Sequence, residues 1–366
     1  MKIVKATREY ESWLASYVSL VASDLAQKHL NMSSDPFIFL RATFYRWAQR
    51  FSEICPQLQE LPTVLSINDL HIENFGTWRD GEGRLVWGVN DFDEAFPNVF
   101  AADLVRLATS TFFAIGVGHL QISRTRACKA LLNGYIESIR SGGLPFVLQE
   151  GHPELRMMAM SRLKEPSIFW GKFDAQMKTP NVVPASARQA LQALFPEKNL
   201  KYRAFHRQAG QGSLGRQRFV GTTDFQGGRI AREVKALVPS ACLFALGKES
   251  KKVYYTALCD SSVRCPDPFL SVNDNWIGRR LAPDCSRIDL AALPKVRDEQ
   301  VLLSAMGFET GNIHLGSASD ISELLKALRK LPEGWLLRAS EAMYLDTLAD
   351  FKMWRKEFRA KVGRSL

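Results

Sequence analysis

Apolar side chains recur at three- and four-residue spacing through the first fifty residues. Leu14, Tyr17, Val18, Val21 and Leu25 share one helical face, which predicts a helix over 10–30. Asp35-Pro36 is a helix start, an N-cap acid with proline at the first turn. From there Phe37, Leu40, Phe44, Trp47 and Phe51 continue one apolar stripe until Cys55-Pro56 stops it. An aromatic stripe at that spacing is core. The period then changes. Val64 to Ile67 is a short strand, and Phe75 to Trp78 and Leu85 to Val89 flank a turn at Arg79-Asp80-Gly81-Glu82-Gly83, which predicts a hairpin. Helices follow at Ala101–His119 and about 122–140, the second ended by Gly142-Gly143. Residues 150–200 read as short helices broken by Pro153, Pro166, Pro180, Pro184 and Pro196.

Near residue 201 the pattern becomes β-like. Tyr202 to Arg207 and Arg216 to Thr223 are strands around Gly210-Gln211-Gly212-Ser213-Leu214-Gly215. After the Gly227-Gly228 turn, Arg229 to Leu237 is a further strand carrying Lys235. Lys248 to Cys259 is predicted helical, with Glu249 a partner for Lys235, and Trp276 to Leu281 is a strand. Helices are predicted at about 296–307, 320–331 and 340–358, with Asp320 and Glu323 placed like a capping box. Gly311-Asn312-Ile313-His314 falls in the loop between the first two of these, and a lone loop histidine is more often structural than catalytic.

The 366 residues suffice for two lobes with a sizeable core. The net charge of +10 favours anionic partners without choosing among nucleotides, phosphorylated metabolites, nucleic acid or acidic membrane. The basic residues are scattered, so no specific nucleic-acid patch is expected. Six cysteines without C-x-x-C spacing suggest no zinc site and read as reduced thiols in a cytoplasm. The N-terminus has no apolar signal core, and the most apolar window, Leu107 to Leu120, is shorter than a bilayer span. Oligomeric state leaves no trace in the pattern.

Candidate chemistry concentrates between Ile67 and Arg106. Asp69 and Asn74 stand in the order D-x-x-x-x-N, and Asp91-Phe92-Asp93 follows the apolar return strand. In a kinase catalytic loop an Asp takes the proton of the substrate hydroxyl and an Asn five residues on holds Mg²⁺. A second Asp, opening a D-F-G, holds the metal as well. Phosphoryl transfer asks chiefly for positioning and charge neutralisation, which short rigid loops supply. The plain alternative is that these acids cap turns on a solvated surface. In the second half, G-x-G-x-x-G runs into a strand rather than a helix, unlike a dinucleotide site. Strand, glycine loop, strand, turn and strand with lysine is how a kinase grips ATP phosphates. The plain alternatives there are an ordinary hairpin and a surface lysine. Asp103 and Arg106 open a helix, where an acid suits the dipole.

Ser33-Ser34-Asp35-Pro36-Phe37-Ile38-Phe39-Leu40-Arg41, Asp69-Leu70-His71-Ile72-Glu73-Asn74-Phe75-Gly76, Asn90-Asp91-Phe92-Asp93-Glu94 and the glycine loop through Val234-Lys235 resemble the bacterial family catalogued as domain of unknown function 2252. That family looks like a distant relative of the protein-kinase and aminoglycoside-phosphotransferase fold, and the D-x-H-x-x-N form with His71 is similar to the small-molecule branch. The family usually has Gly before the Asp that Asp69 matches; here it is Asn68. Ordinary kinases place the glycine loop and lysine before the catalytic loop, whereas here they follow it, which implies a circular permutation.

The expected fold is therefore α+β and protein-kinase-like, with two lobes. Residues 1–200 form a helical lobe with the catalytic loop, 201–285 a small antiparallel β lobe, and 286–366 return to the helical lobe. The expected function is ATP- and Mg²⁺-dependent phosphotransfer to a hydroxyl acceptor, with a small molecule favoured. Asp69 is the base or the acid that positions the acceptor, and His71 orients its loop. Asn74, Asp91 and Asp93 ligate Mg²⁺, and Gly210, Gly212, Ser213, Gly215 and Lys235 hold the ATP phosphates. Three alternatives stay open: a nucleotide-binding, inactive regulator; a metal-dependent hydrolase built on the Asp69, His71, Asp91 and Asp93 cluster; and transfer of AMP in place of phosphate.

Overall fold

The computed structural model describes residues 1–160, 165–177, 182–273, 275–283, 285 and 298–362. In chain order its first elements are helices α1 (Ile3–Ala15), α2 (Ala22–Met32), α3 (Pro36–Ala42) and α4 (Phe44–Ile54), then strands β1 (Thr63–Ser66), β2 (Phe75–Arg79), β3 (Leu85–Val89) and β4 (Phe96–Val99). There follow α5 (Ala101–Gly116), α6 (Arg124–Ser141), β5 (Phe146–Val147), α7 (Pro153–Met160), α8 (Pro166–Gln176) and α9 (Ala185–Leu194). The second half holds β6 (Arg203–His206), β7 (Arg218–Phe225), β8 (Gly228–Ala236), α10 (Ala241–Ala245), α11 (Tyr255–Ser261), β9 (Ser271–Asn273) and β10 (Trp276–Leu281). It ends in α12 (Glu299–Leu315), α13 (Ile321–Lys330) and α14 (Trp335–Val362). The fold is mixed α+β, and its sheets are antiparallel.

The sheets are small. β1 pairs with β4, β2 with β3 and β3 with β5, while the largest sheet runs β6-β7-β8-β10-β9. Strand alternation gives that sheet two faces. Phe219, Val234, Ala236 and Trp276 bury one face against Ala187, Ala190 and Leu191 of α9. Lys235, Glu233, Arg218 and Arg279 share the other, because Arg218 pairs with Lys235 and Arg279 with Glu233 in register.

Several local expectations were too simple. The apolar stripe over 10–30 is two helices, because Val21 N–H donates to Gly215 O (2.8 Å) and Leu20 bridges Arg216. A long-range pairing with the glycine loop replaces helical hydrogen bonds there. The aromatic stripe beyond Asp35 breaks at Thr43 (φ −124°), where the Leu40 carbonyl accepts from Arg106 Nη2 (2.8 Å). The Asp35 cap is as expected, accepting from Phe37 N–H and Ile38 N–H. Residues 248–254 are not helical; α11 starts at Tyr255. Residues 311–314 lie inside α12, not in a loop. Of the helix expected over 296–307, residues 296 and 297 lie outside the described residues. β4 and β5 were not anticipated. Among the described residues no disulfide joins any of the six cysteines. Among the described residues no helix is long and apolar enough to cross a membrane.

The central helices cross at backbone contact. A Cβ on Gly307 would stand 1.9 Å from Leu131 O, and one on Gly134 would stand 1.9 Å from Ser304 O. This close approach seats α12 against α6 and brings His314 to α5. Gly307→Ala is expected to destabilise the protein by about 2–3 kcal/mol, since backbone atoms cannot move aside as a side chain can. Chemical denaturation checks this, with a lower midpoint at unchanged slope the expected result.

Candidate functional site

A buried carboxylate sets the first loop. Asp103, in the first turn of α5, accepts from Ile67 N–H (2.8 Å) and Asn68 N–H (2.6 Å). His314 Nε2 lies 2.9 Å from the same carboxylate, and Tyr135 OH lies 2.9 Å from His314 Nδ1. Asp103 thus does more than complement a helix dipole: it holds the chain just before Asp69. Asn68 sits at φ +67°, a left-handed conformation that Asn tolerates better than most residues. Its amide Nδ2 reaches the carbonyls of Ser66 (3.1 Å), Glu94 (3.1 Å) and Phe96 (2.9 Å), and its Oδ1 accepts from Asn98 (2.8 Å). The Asn68 side chain therefore ties the loop to β4 and to the second acidic loop.

The next residues turn tightly. Asn74 Nδ2 donates to Asp69 O (2.7 Å), which fixes the amide against the loop. His71 Nδ1 accepts from Glu73 N–H (3.2 Å), so the histidine caps its own turn. The Asp69 carboxylate accepts from Arg106 Nη2 (2.6 Å). Arg106 is fully buried, with its guanidinium 5.5 Å from the Phe44 ring centroid and 5.4 Å from that of Trp47. Burial raises the Asp69 pKa to about 7, against the pull of Arg106. A carboxyl in that range suits general-base work at neutral pH.

The hairpin β2–β3 returns the chain to the same place, with Asn90 N–H donating to Asn74 O (3.0 Å). Buried Phe92 anchors the following loop, edge-on to Tyr255. That turns Asp91 and Asp93 toward the large sheet. Lys235 Nζ lies 3.3 Å from Asp91 and 2.6 Å from Asp93. Burial lowers the Lys235 pKa, and the two carboxylates oppose the shift. Glu249, the expected lysine partner, is instead exposed in the segment after α10. Arg216 extends the contact, 3.3 Å from Asp93 and 2.9 Å from Glu94. Glu94 also accepts from Ala241 N–H (2.6 Å).

The glycine loop lies over these acids. Gly210 (φ +77°) and Gly215 (φ +99°) take left-handed conformations at its two ends. Gly212 packs where a Cβ would be 3.0 Å from Arg41 O and 3.5 Å from Asp69 Oδ2. Ser213 Oγ accepts from Arg218 Nη2 (2.7 Å). Helix α2 holds the loop down, with Lys28 Nζ donating to Gly212 O (3.2 Å) and Asn31 Nδ2 to Gln211 Oε1 (2.9 Å). Burial lowers the Lys28 pKa to about 8. Asp69, Asn74, Asp91, Asp93, Lys28 and Gly212 border one cavity of about 40 Å³, room for one or two waters.

The structure thus gathers Asp69, His71, Asn74, Asp91, Asp93, Gly210, Gly212 and Ser213 around one cleft, with Lys235 at the two acids and Gly215 at the loop's hinge. Among the described residues no group of three or more His, Cys, Asp and Glu side chains is arranged to hold a metal by itself. The oxygen donors Asn74, Asp91 and Asp93 fit Mg²⁺, which is usually held by few protein groups together with phosphates. Arg106, Lys28, Arg216 and Glu94 were missed as site residues. Nothing local signals a partner that lies far away in the chain, as Gly212 does for Lys28 or Glu94 for Arg216.

Asn68→Gly should keep the left-handed backbone yet cost about 1–3 kcal/mol, because it strips buried carbonyls of their donor. A lower denaturation midpoint checks it; an unchanged one would mean that the side chain contributes nothing.

No curated protein and no solved structure matches the chain. Residues 20–163, a stretch that carries Lys28, Asp69, Asn74, Asp91, Asp93 and Arg106 but not the glycine loop or Lys235, match the family model described as "Uncharacterized protein conserved in bacteria (DUF2252)", and over that segment the chain is similar to this bacterial family.

Proposed function

We propose that the protein is an ATP- and Mg²⁺-dependent phosphotransferase of kinase-like design, with the usual order of its two halves permuted. The observation that carries this reading is the contact of Lys235 with Asp91 and Asp93, across 144 and 142 residues of chain. Supporting it, the glycine loop joins the first two strands of a five-stranded antiparallel sheet, and the lysine stands on the third. A protein kinase likewise covers its phosphates with a glycine-rich loop and carries its lysine on the third strand. On this reading 1–200 is a helical lobe, 201–285 grips the nucleotide, and 286–366 returns to the helical lobe.

Each residue has a task. Asp69 takes the proton of the acceptor hydroxyl, and Arg106 fixes its carboxylate. Asn74, Asp91 and Asp93 would hold Mg²⁺, which when bound supplies neutralisation of the charge on the transferred group. Lys235 exchanges its carboxylate partners for donor phosphates. His71 orients the loop. The acceptor is a hydroxyl compound, with a small molecule favoured by the D-x-H-x-x-N form.

Turnover of Mg-ATP is expected to fall on the order of 100-fold or more in Asp91→Ala and in Lys235→Met. Chelation of the metal should abolish it in the wild type. Equal rates for Asp91→Ala and wild type would remove Asp91 from the mechanism. The tight seat of Gly212 over Asp69 favours one second reading, a nucleotide-binding regulator without transfer. That reading expects a thermal shift with Mg-ATP and no phosphate passed to any acceptor.

A further inference from the structure

Beside the acidic cleft lies a second, larger cavity of about 330 Å³, and Gly210 borders both. Its walls are rich in arginine. Arg218 and Arg279 come from strands β7 and β10 of the large sheet, Arg207 from the connection just after β6, and Arg264 from the segment between α11 and β9. The two acids that line it are already engaged. Glu233 is shared by Arg207 and by Arg218 (2.8 Å), so two guanidiniums face one carboxylate. Asp267 accepts from Phe269 N–H (2.9 Å) in its own turn.

Two arginines define what the cavity asks for. Arg264 is held between the rings of Trp78 and Phe92, 4.7 and 4.8 Å from their centroids. Its Nη1 is shielded from solvent and has no hydrogen-bond partner among the described residues. That nitrogen is closed to the cavity as well, so Arg264 contributes its charge to the wall, a charge that buried Glu309 also feels. Arg279 links the two cavities: it lines the larger one and lies 3.8 Å from Asp91 Oδ1. A chain of negative charges bound among these arginines would lead toward Asp91 and Lys235. A neutral base would leave the excess positive charge unanswered. Phosphate oxygens match guanidinium N–H pairs in both charge and geometry.

We propose that this arginine-lined cavity binds a chain of phosphate groups, and that the protein recognises its phosphate donor by the polyphosphate and not by the base. This rests on the phosphotransferase reading for its function but not for its binding. A nucleoside triphosphate and inorganic polyphosphate share the required chemistry. Both therefore bind, and the identity of the base matters little. Arg264 and Arg207 are grips for the phosphates that the sequence did not single out.

The test is titration of the full chain, by calorimetry and thermal shift with Mg²⁺ present, using ATP, GTP, inorganic tripolyphosphate and adenosine. ATP, GTP and tripolyphosphate are expected to bind within about tenfold of one another, and adenosine to give no shift. Arg264→Met and Arg207→Met keep the aliphatic stems, and Arg207→Met leaves Glu233 paired with Arg218. Each variant is expected to weaken tripolyphosphate binding at least tenfold. Wild-type binding of ATP and adenosine without tripolyphosphate would overturn the proposal, and this holds even if a variant fails to fold. Unchanged tripolyphosphate affinity in two folded variants would overturn it too. Phosphate binding without transfer from ATP would sink the phosphotransferase reading and leave this one standing, whereas turnover with base-dependent binding would do the reverse.

Discussion

The contact between Lys235 and the Asp91–Asp93 loop is the constraint around which the molecule is arranged. It joins the third strand of the large sheet to the loop that follows β3. Arg216 repeats the link one strand away, through Asp93 and Glu94. Buried ion pairs are poor sources of net stability, because desolvation of the charges offsets most of their attraction. A second buried lysine, Lys28, and a buried arginine, Arg106, face the same cleft. So many ionised groups set in the interior point to a site kept for its electrostatics, with the hydrophobic clusters around it supplying the stability.

Positioning of that site works from the inside outward. α12 packs on α6 at backbone contact through Gly307 and Gly134, and this places His314 against Asp103. Asp103 then fixes the amides of Ile67 and Asn68, and Asn68 fixes the loop that carries Glu94. A movement of the helical core would therefore reach Asp69 and Asp91 together. The glycine loop has a separate support in α2, through Lys28 and Asn31.

Much of the local structure was legible because it rests on short-range physics. The Asp35 cap, the β2–β3 hairpin, the turn before Lys235 and the Gly142 helix end follow from residue types with fixed backbone preferences. The acids of the first loops and the lysine of the later strand were singled out by spacing along one turn or strand, and the structure brings them together. Where the reading failed, a distant partner had intervened. The helix expected over 10–30 gives way because the glycine loop takes its backbone donor, and the aromatic helix breaks where Arg106 takes a carbonyl. Glu249 looked suitable for Lys235 by proximity in sequence, yet two aspartates more than a hundred residues away hold it.

The sequence by itself determined most of the secondary-structure types, the mixed α+β class and the set of acids, amides and glycines on which the proposed chemistry rests. Periodicity and turn propensity are properties of neighbours in the chain, so they can be read from it. Only the tertiary structure decided which charges meet, that Arg106 and Arg216 serve the acids, that Gly212 closes over Asp69, and that arginines from separate strands and connections line one cavity. These pairings depend on how separate elements pack, and the free energy of a charge pair is set by the burial and distance that packing imposes.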